Sequence, residues 1–366
     1  MPTCIYTKRQ FDKAAGEHIL QNALGAKRTS DQIVCDEVQS AFAKGIDLAV
    51  AEEMNPFRNL IDGLTGRGHC APPIKGVKGS NGAEYELNHG GVPFLLKPHI
   101  ISVSESPDGS VKEVHVMVRD TSEVPRAKAM VRKIFPGFSK MVTGSDLQQV
   151  ADRSTYHFQL QLAGRDFARG ILKSCFNLIG LCDRALAIAG PFDPLRGFVL
   201  GDKGDLKDFF NFYCPSAHFD LPEFGDFSHC IAIYPSNGNL CAYTRLWGEV
   251  AFLFRLASNY SGAFKKAYVI DPLRKHKPPE ALFDDFDCSS LPAFVEHENA
   301  QSVAHPAMAA TQEEVERFMG KWRRKCINDI VLGIFDDVFT NSKSECITSE
   351  MIGVFSERVA HALVGL

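Results

Sequence analysis

Residues able to do chemistry gather near the N-terminus. Glu17 and His18 are adjacent, with Cys4 before them and Asp31, Cys35 and Gln39 after them. An imidazole titrates near neutral pH and can take a proton from water. A carboxylate is a hard oxygen ligand suited to Mg²⁺ or Mn²⁺, and an ion so held can polarise the oxygens of a phosphate. Thiolates can build a structural zinc site, which needs four ligands. Adjacent residues on a strand point to opposite faces, so Glu17 and His18 serve one centre only on a twisted or bulged strand.

The elements that must position these residues can be read around them. Cys4 to Tyr6 reads as a short strand, Ile19 to Leu24 is apolar and ends at Gly25, and Lys27 to Gln32 is a polar turn. Val34, Val38, Phe42, Ile46 and Val50 recur near four-residue spacing, which predicts a helix from Cys35 that stops before Pro56. Phe11, Ile19, Leu20, Leu24, Ile33, Val34, Val38 and Phe42 make a minimal core. A unit of ~50 residues is too small to be stable alone, so this one is expected to dock on the rest of the chain.

The order Cys4-Ile5-Tyr6-Thr7, Gly16-Glu17-His18-Ile19-Leu20, Ala23-Leu24-Gly25-Ala26, then Val34-Cys35-Asp36-Glu37-Val38-Gln39 resembles the treble-clef subgroup of the HNH endonuclease family, over about residues 4–50. The resemblance implies a small ββα-metal unit that hydrolyses DNA phosphodiester bonds. It places a general base at His18, an orienting group at Asp31, and ligands for one divalent metal, Mg²⁺ or Mn²⁺, at Glu17 and Gln39. Proteins of this type are often linked to restriction or anti-phage defence. The sequence departs from the family pattern. Thr7 and Val38 stand where two zinc cysteines are expected, leaving Cys4 and Cys35, so no structural zinc is predicted. Gln39 replaces an asparagine, and Ala26 replaces the second glycine of the turn.

The remainder reads as α+β. Val92 to Ser104 and Val111 to Val118 flank Pro107-Asp108-Gly109, a hairpin signal, and Ser236-Asn237-Gly238-Asn239 joins a second pair, Cys230–Tyr234 and Leu240–Trp247. Val250–Leu256 and Ala267–Ile270 could extend that sheet. Tyr156, Phe158, Leu160 and Leu162 alternate as a strand, and a long helix should run from about Asp166 to Ala189. Thr311-Gln312-Glu313-Glu314 is a capping-box pattern, and Ser349 is expected to cap a last helix. The expected division is an HNH-like unit over 1–70, an α+β domain over 71–275, a linker over 276–310 and C-terminal helices over 311–366.

The chain has 366 residues and a formal charge of −4. It is no polycation, and residues 1–70 carry eight basic against nine acidic residues. Phosphate attraction must therefore be local. Arg126, Lys128, Arg132, Lys133 and Lys140 lie in an acid-free stretch with Phe135 and Phe138, a candidate nucleic-acid track. Lys265-Lys266 and Arg274–Lys277 form a second basic group. Eleven cysteines without a CxxC, behind a polar N-terminus, predict reduced thiols in a cytoplasmic protein. The most apolar stretch, Ile171 to Gly190, is interrupted by Lys173, Asp183 and Arg184, so no membrane partner is expected. Asn88–Gly91 lacks the lysine of a P-loop. The leading expectation is a metal-dependent HNH-type endonuclease acting on DNA. The alternative is a non-catalytic nucleic-acid-binding or regulatory protein on a degenerate HNH scaffold, and a third reading is a small-molecule sensor. The C-terminal part is expected to carry a protein partner or a second copy.

Overall fold

The computed structural model of the chain describes residues 1–12, 14–137, 154–159, 164–211, 221–273, 280–296, 301–340 and 347–364. Two short strands, β1 (Glu17–His18) and β2 (Thr29–Ser30), pair antiparallel with His18 opposite Thr29. Three short helices follow: α1 (Asp36–Lys44), α2 (Ile46–Glu53) and α3 (Asn55–Leu60). Gly45 divides the first two, and Pro56 falls in the first turn of α3, where its missing N–H breaks no helical bond. The apolar spacing expected for one helix thus serves several short ones. Cys4 to Thr7 forms a turn rather than a strand, closed by a Thr3–Gln10 bridge.

The next strands are β3 (Ile74–Gly79), β4 (Glu84–Asn88), β5 (Val92–Leu95), β6 (His99–Glu105) and β7 (Val111–Met117). Helix α4 (Val124–Ile134) and strand β8 (Tyr156–His157) follow. The expected β6–β7 hairpin forms, and β5, β4, β3 and β8 make a separate antiparallel sheet in that order. Leu160 and Leu162 of the expected fourth strand lie outside the described residues.

The long helix expected near Asp166 is α5 (Arg165–Cys182), and it ends where Asp183 caps α6 (Arg184–Ile188) by accepting from the Leu186 N–H. Then come α7 (Asp193–Leu200), β9 (Phe210–Asn211), β10 (His229–Ser236), β11 (Asn239–Leu246), β12 (Val250–Ala257), β13 (Lys266–Ile270), β14 (Glu280–Phe283), α8 (Gln301–Phe335) and α9 (Ser349–Val364). Asn237 and Gly238 both take positive φ, as a two-residue hairpin turn requires, and they set the β10–β11 register. The resulting six-stranded antiparallel sheet runs β14-β13-β10-β11-β12-β9. The segment expected as a linker contributes β14 and the opening of α8. Its short Ala281-Leu282-Phe283 run is hidden between proline- and aspartate-rich flanks. Thr311 lies inside α8 rather than at its start, and the Thr348 hydroxyl, not Ser349, accepts from the Met351 N–H at the start of α9.

The fold is α+β. Residues 1–71 and 160–324 form one compact unit, and 72–159 with 325–366 form the other. The first 71 residues therefore share a unit with the six-stranded sheet. One face of that sheet buries Cys230, Ala232, Tyr234, Tyr243 and Leu253 under Phe286, Leu291 and Phe294. On β12 the Phe252 ring meets Phe167 of α5 edge-on, at 5.2 Å between centroids. Helix α5 is buried on every side from Gly170 to Gly180. Gly170 leaves room for α2: a Cβ there would lie 2.5 Å from Val50 Cγ2 and 2.7 Å from the Ile46 carbonyl oxygen. Among the described residues no helix is long and apolar enough to cross a membrane.

Burial also sets an acid limit on this unit. His229 has no exposed surface, its Nδ1 accepts from the Trp247 N–H at 3.0 Å, and desolvation pulls its pKa down to about 3. An unfolded chain takes up that proton near pH 6.5. The stability His229 permits is thus complete above that pH and is lost as the pH falls from about 6.5 toward 3, at about 1.4 kcal/mol per pH unit. We expect His229→Gln to show a shallower loss of stability between pH 6 and 4 in urea denaturation. An unchanged slope would show that the histidine does not set it.

Candidate functional site

The surface that meets the N-terminal segment is a row on α5: Gly170, then Lys173 and Ser174, then Asn177 and Gly180, recurring at three- and four-residue intervals and so on one side of the helix. A helix buried all round must find a partner for each polar side chain, because an unpaired buried polar group costs several kcal/mol. The N-terminal segment supplies them. The Gln21 amide donates to the Gly170 carbonyl at 2.5 Å, and its oxygen accepts from the Ser174 hydroxyl at 2.9 Å. The Tyr6 hydroxyl donates to Asn177 Oδ1 at 2.9 Å. Asn177 Nδ2 in turn donates to the His18 carbonyl at 3.0 Å and to Glu17 Oε1 at 3.3 Å.

Lys173 is the centre of this row. Its side chain is 1% exposed and that of Glu17 is 3% exposed, and the ammonium lies 2.5 Å from Glu17 Oε1 and 2.7 Å from Asp47 Oδ1. Asp47 comes from α2, so one ammonium ties β1 and α2 to α5. Burial pushes the Glu17 carboxyl above its ordinary value, opposed by the charge and hydrogen bond of Lys173. Sequence reading treated Lys173 as a break in an apolar run. The signal that would have found it is the pattern of small and polar residues at helical spacing in that run.

The expected site residues fall around this centre in different roles. His18 is half-buried, and its Nδ1 is buried with no hydrogen-bond partner among the described residues. Burial, with the positive charges of Arg67 and Lys173, holds its pKa below the ordinary histidine value, so the ring is neutral at pH 7. Gln39 Nε2 donates to the Gly16 carbonyl at 3.2 Å, and Asp36 Oδ1 accepts from the Ala15 N–H at 2.8 Å. Both side chains thus fasten the approach to β1 onto α1. Asp31 is exposed and accepts from the Gln32 amide at 3.1 Å. β2 is anchored by Glu280, whose carboxylate accepts from the backbone N–H groups of Lys27 and Arg28 and from the Tyr268 hydroxyl.

These residues can be tested against the metal that the resemblance implies. Glu17 Oε1 already carries an ammonium, and the Gln39 amide nitrogen donates to the Gly16 carbonyl. Among the described residues no three His, Cys, Asp or Glu side chains form a metal-holding group. The donor set present fits the lysine and does not fit a divalent ion.

Cys4 and Cys35 are both free thiols at the turn and at the start of α1. The turn keeps a left-handed residue, Lys8 at φ 57°, and closes with the Lys8 N–H donating to the Cys4 carbonyl at 2.8 Å. Val38 is buried.

The basic residues divide. On α4 the inward positions are Ala127 and Val131, while Arg126, Arg132 and Lys133 are exposed and Lys128 is half-buried. Arg126 has a distant ion pair with Glu123 at 3.9 Å. Lys265 and Lys266 are instead paired with Asp285 and Asp284. Phe138, Lys140 and Arg274–Lys277 lie outside the described residues. Comparison with protein-family models, curated proteins and solved structures finds no match.

Removing the central cation leaves two carboxylates facing each other in a buried site. Breaking a buried pair from one side costs about 3–5 kcal/mol. We expect Lys173→Met to lose stability on that scale in urea denaturation at pH 7. A loss under about 1 kcal/mol would mean that the ammonium does not hold the segment in place.

Proposed function

We propose that the chain is a non-catalytic nucleic-acid-binding protein built on a degenerate HNH-like scaffold. The observation that carries this reading is the Lys173 ammonium seated on Glu17, the carboxylate to which the resemblance would give a metal. A lysine–carboxylate pair buried to this degree fastens two elements together and commits Glu17 Oε1 to an ammonium. The neutral ring of His18 retains the chemistry of a base, but water activation on a phosphodiester also needs charge relief at the phosphate. The groups here do not offer it.

DNA is the partner this reading assigns, and the basic face of α4 is what it assigns to the phosphates. The exposed Arg126, Arg132 and Lys133, with Lys128 beside them, offer local positive charge in a chain that is acidic overall. Such contacts give salt-dependent affinity through counterion release. A cytoplasmic setting and a part in restriction or anti-phage defence belong to the same reading and rest on the resemblance. The competing reading, an active metal-dependent endonuclease, requires Glu17 to exchange Lys173 for a metal.

Two assays separate them. In plasmid nicking with Mg²⁺, Mn²⁺ or Ni²⁺, wild type and His18→Ala should give the same background. Metal-dependent cleavage lost in His18→Ala would establish the endonuclease instead. In DNA binding measured across salt concentrations, Arg132→Ala and Lys133→Ala should each weaken binding and reduce the slope of log K against log salt by about 1. Unchanged affinity in both variants would remove α4 from the interface.

A further inference from the structure

Apart from the α5 row, the same unit holds an open cleft of about 430 Å³, within the range of small-molecule sites. Its walls are one side of α7 (Pro194 and Gly197), the turn that follows (Lys203 and Gly204), Phe209, and the end of β12 at Leu256. The turn is fixed through its backbone. The Asp202 and Lys203 N–H groups both donate to the Gly197 carbonyl, at 2.9 and 3.3 Å. Arg165 Nη2, reaching from α5, donates to the Gly204 carbonyl at 3.0 Å. Gly204 takes φ 104°. A Cβ there would lie 3.1 Å from Phe209 Cε2 and 3.3 Å from Phe198 Cδ2, two rings that stack at 4.7 Å between centroids. Glycine is what lets the turn lie this close to them.

Four charged residues line the cleft: Asp193, Lys203, Asp208 and Arg255. Asp193 is already paired with Lys8 and Arg196, each at 2.7 Å. Asp208 Oδ2 accepts from the Asp205 N–H at 3.3 Å. Arg255 Nε donates to the Asp208 carbonyl at 2.9 Å, and its Nη1 lies 2.7 Å from Glu296, whose side chain is 82% exposed. An ion pair with so exposed a partner holds weakly. Among the described residues no acid lies within ion-pair distance of the Lys203 ammonium. Counted with their ion-pair partners, these residues carry four positive charges (Lys8, Arg196, Lys203, Arg255) against three negative (Asp193, Asp208, Glu296). The charge left over is positive, and it stands beside apolar wall. We propose that this cleft binds a small organic anion, an apolar body carrying a carboxylate or a phosphate monoester. Lys203 is its counter-ion and Arg255 a second charged donor, which makes the hydrogen bonds charge-assisted. The body rests against Pro194, Phe209 and Leu256. The site uses no residue of α4 and none of the Glu17–Lys173 network, so it stands or falls apart from DNA binding.

The test titrates the full chain with sodium benzoate and with phenyl phosphate, by calorimetry and by thermal melting. Benzyl alcohol and benzylamine serve as the neutral and cationic counterparts. At least one of the two anions should bind and raise Tm, and the neutral and cationic compounds should bind more weakly. The tighter of the two anions tells a carboxylate site from a phosphate site. Lys203→Ala should weaken that anion about tenfold, the loss of one charge-assisted hydrogen bond, and Lys203→Arg should restore most of it. Gly197→Leu fills the cleft from α7. Among the described residues a Cβ at Gly197 meets Lys203 Cβ alone, at 3.9 Å, so there is space for the new side chain. This variant should keep or raise Tm without added anion, since glycine is a poor helix former, and it should lose anion binding. The proposal is overturned if neither anion binds, or if benzyl alcohol binds as tightly as both. It is equally overturned if Lys203→Ala or Gly197→Leu binds the anion as wild type does.

Discussion

One buried ammonium organises the N-terminal segment. Lys173 sits on the only kind of helix that cannot tolerate it alone, one with apolar contacts all round, and it is held there by Glu17 and Asp47. Desolvating three charges is expensive, and their attraction repays this only with close geometry and further hydrogen bonds. Asn177 donates to Glu17 Oε1 and is itself held by the Tyr6 hydroxyl. Glu17 lies in β1 and Asp47 in α2, so the one ammonium joins three segments that are distant in sequence.

The same arrangement holds the N-terminal segment to the rest of its unit. A metal knuckle holds a turn to a helix by ligation. Here the turn is closed by the Lys8–Cys4 backbone bond, Val38 fills space, and the burden of anchoring passes to α5 and to Glu280 on the large sheet. Gln39 and Asp36 also use their side chains to secure the approach to the strand carrying Glu17. Residue types expected to do chemistry are used to hold the segment that bears them.

Much of the fold could be read from local signals. Asn237-Gly238 and Pro107-Asp108-Gly109 specify hairpins because their backbone angles suit few other residues, and both hairpins form. The buried helix was legible from its apolar run, and its end was less so, because Asp183 reads equally as an interruption or as the cap of the next helix. The role of Glu17 was not legible. A Glu-His pair on a strand is compatible with a metal or with a counter-ion, and the choice depends on Lys173, 156 residues away in sequence. Contacts of that separation leave no local pattern. The only trace is the Gly170, Lys173, Ser174, Asn177 spacing, which marks a polar stripe without naming what faces it.

The Glu17–Lys173 pair fastens β1 to α5, and a double-mutant cycle measures that pair directly. Unfolding free energies at pH 7 are compared for wild type, Glu17→Gln, Lys173→Met and the double variant. If the two side chains hold each other, the double variant loses less than the summed single losses, with a coupling of about 1–3 kcal/mol. If the losses add within about 0.5 kcal/mol, Glu17 and Lys173 act independently and the counter-ion account of Glu17 is wrong.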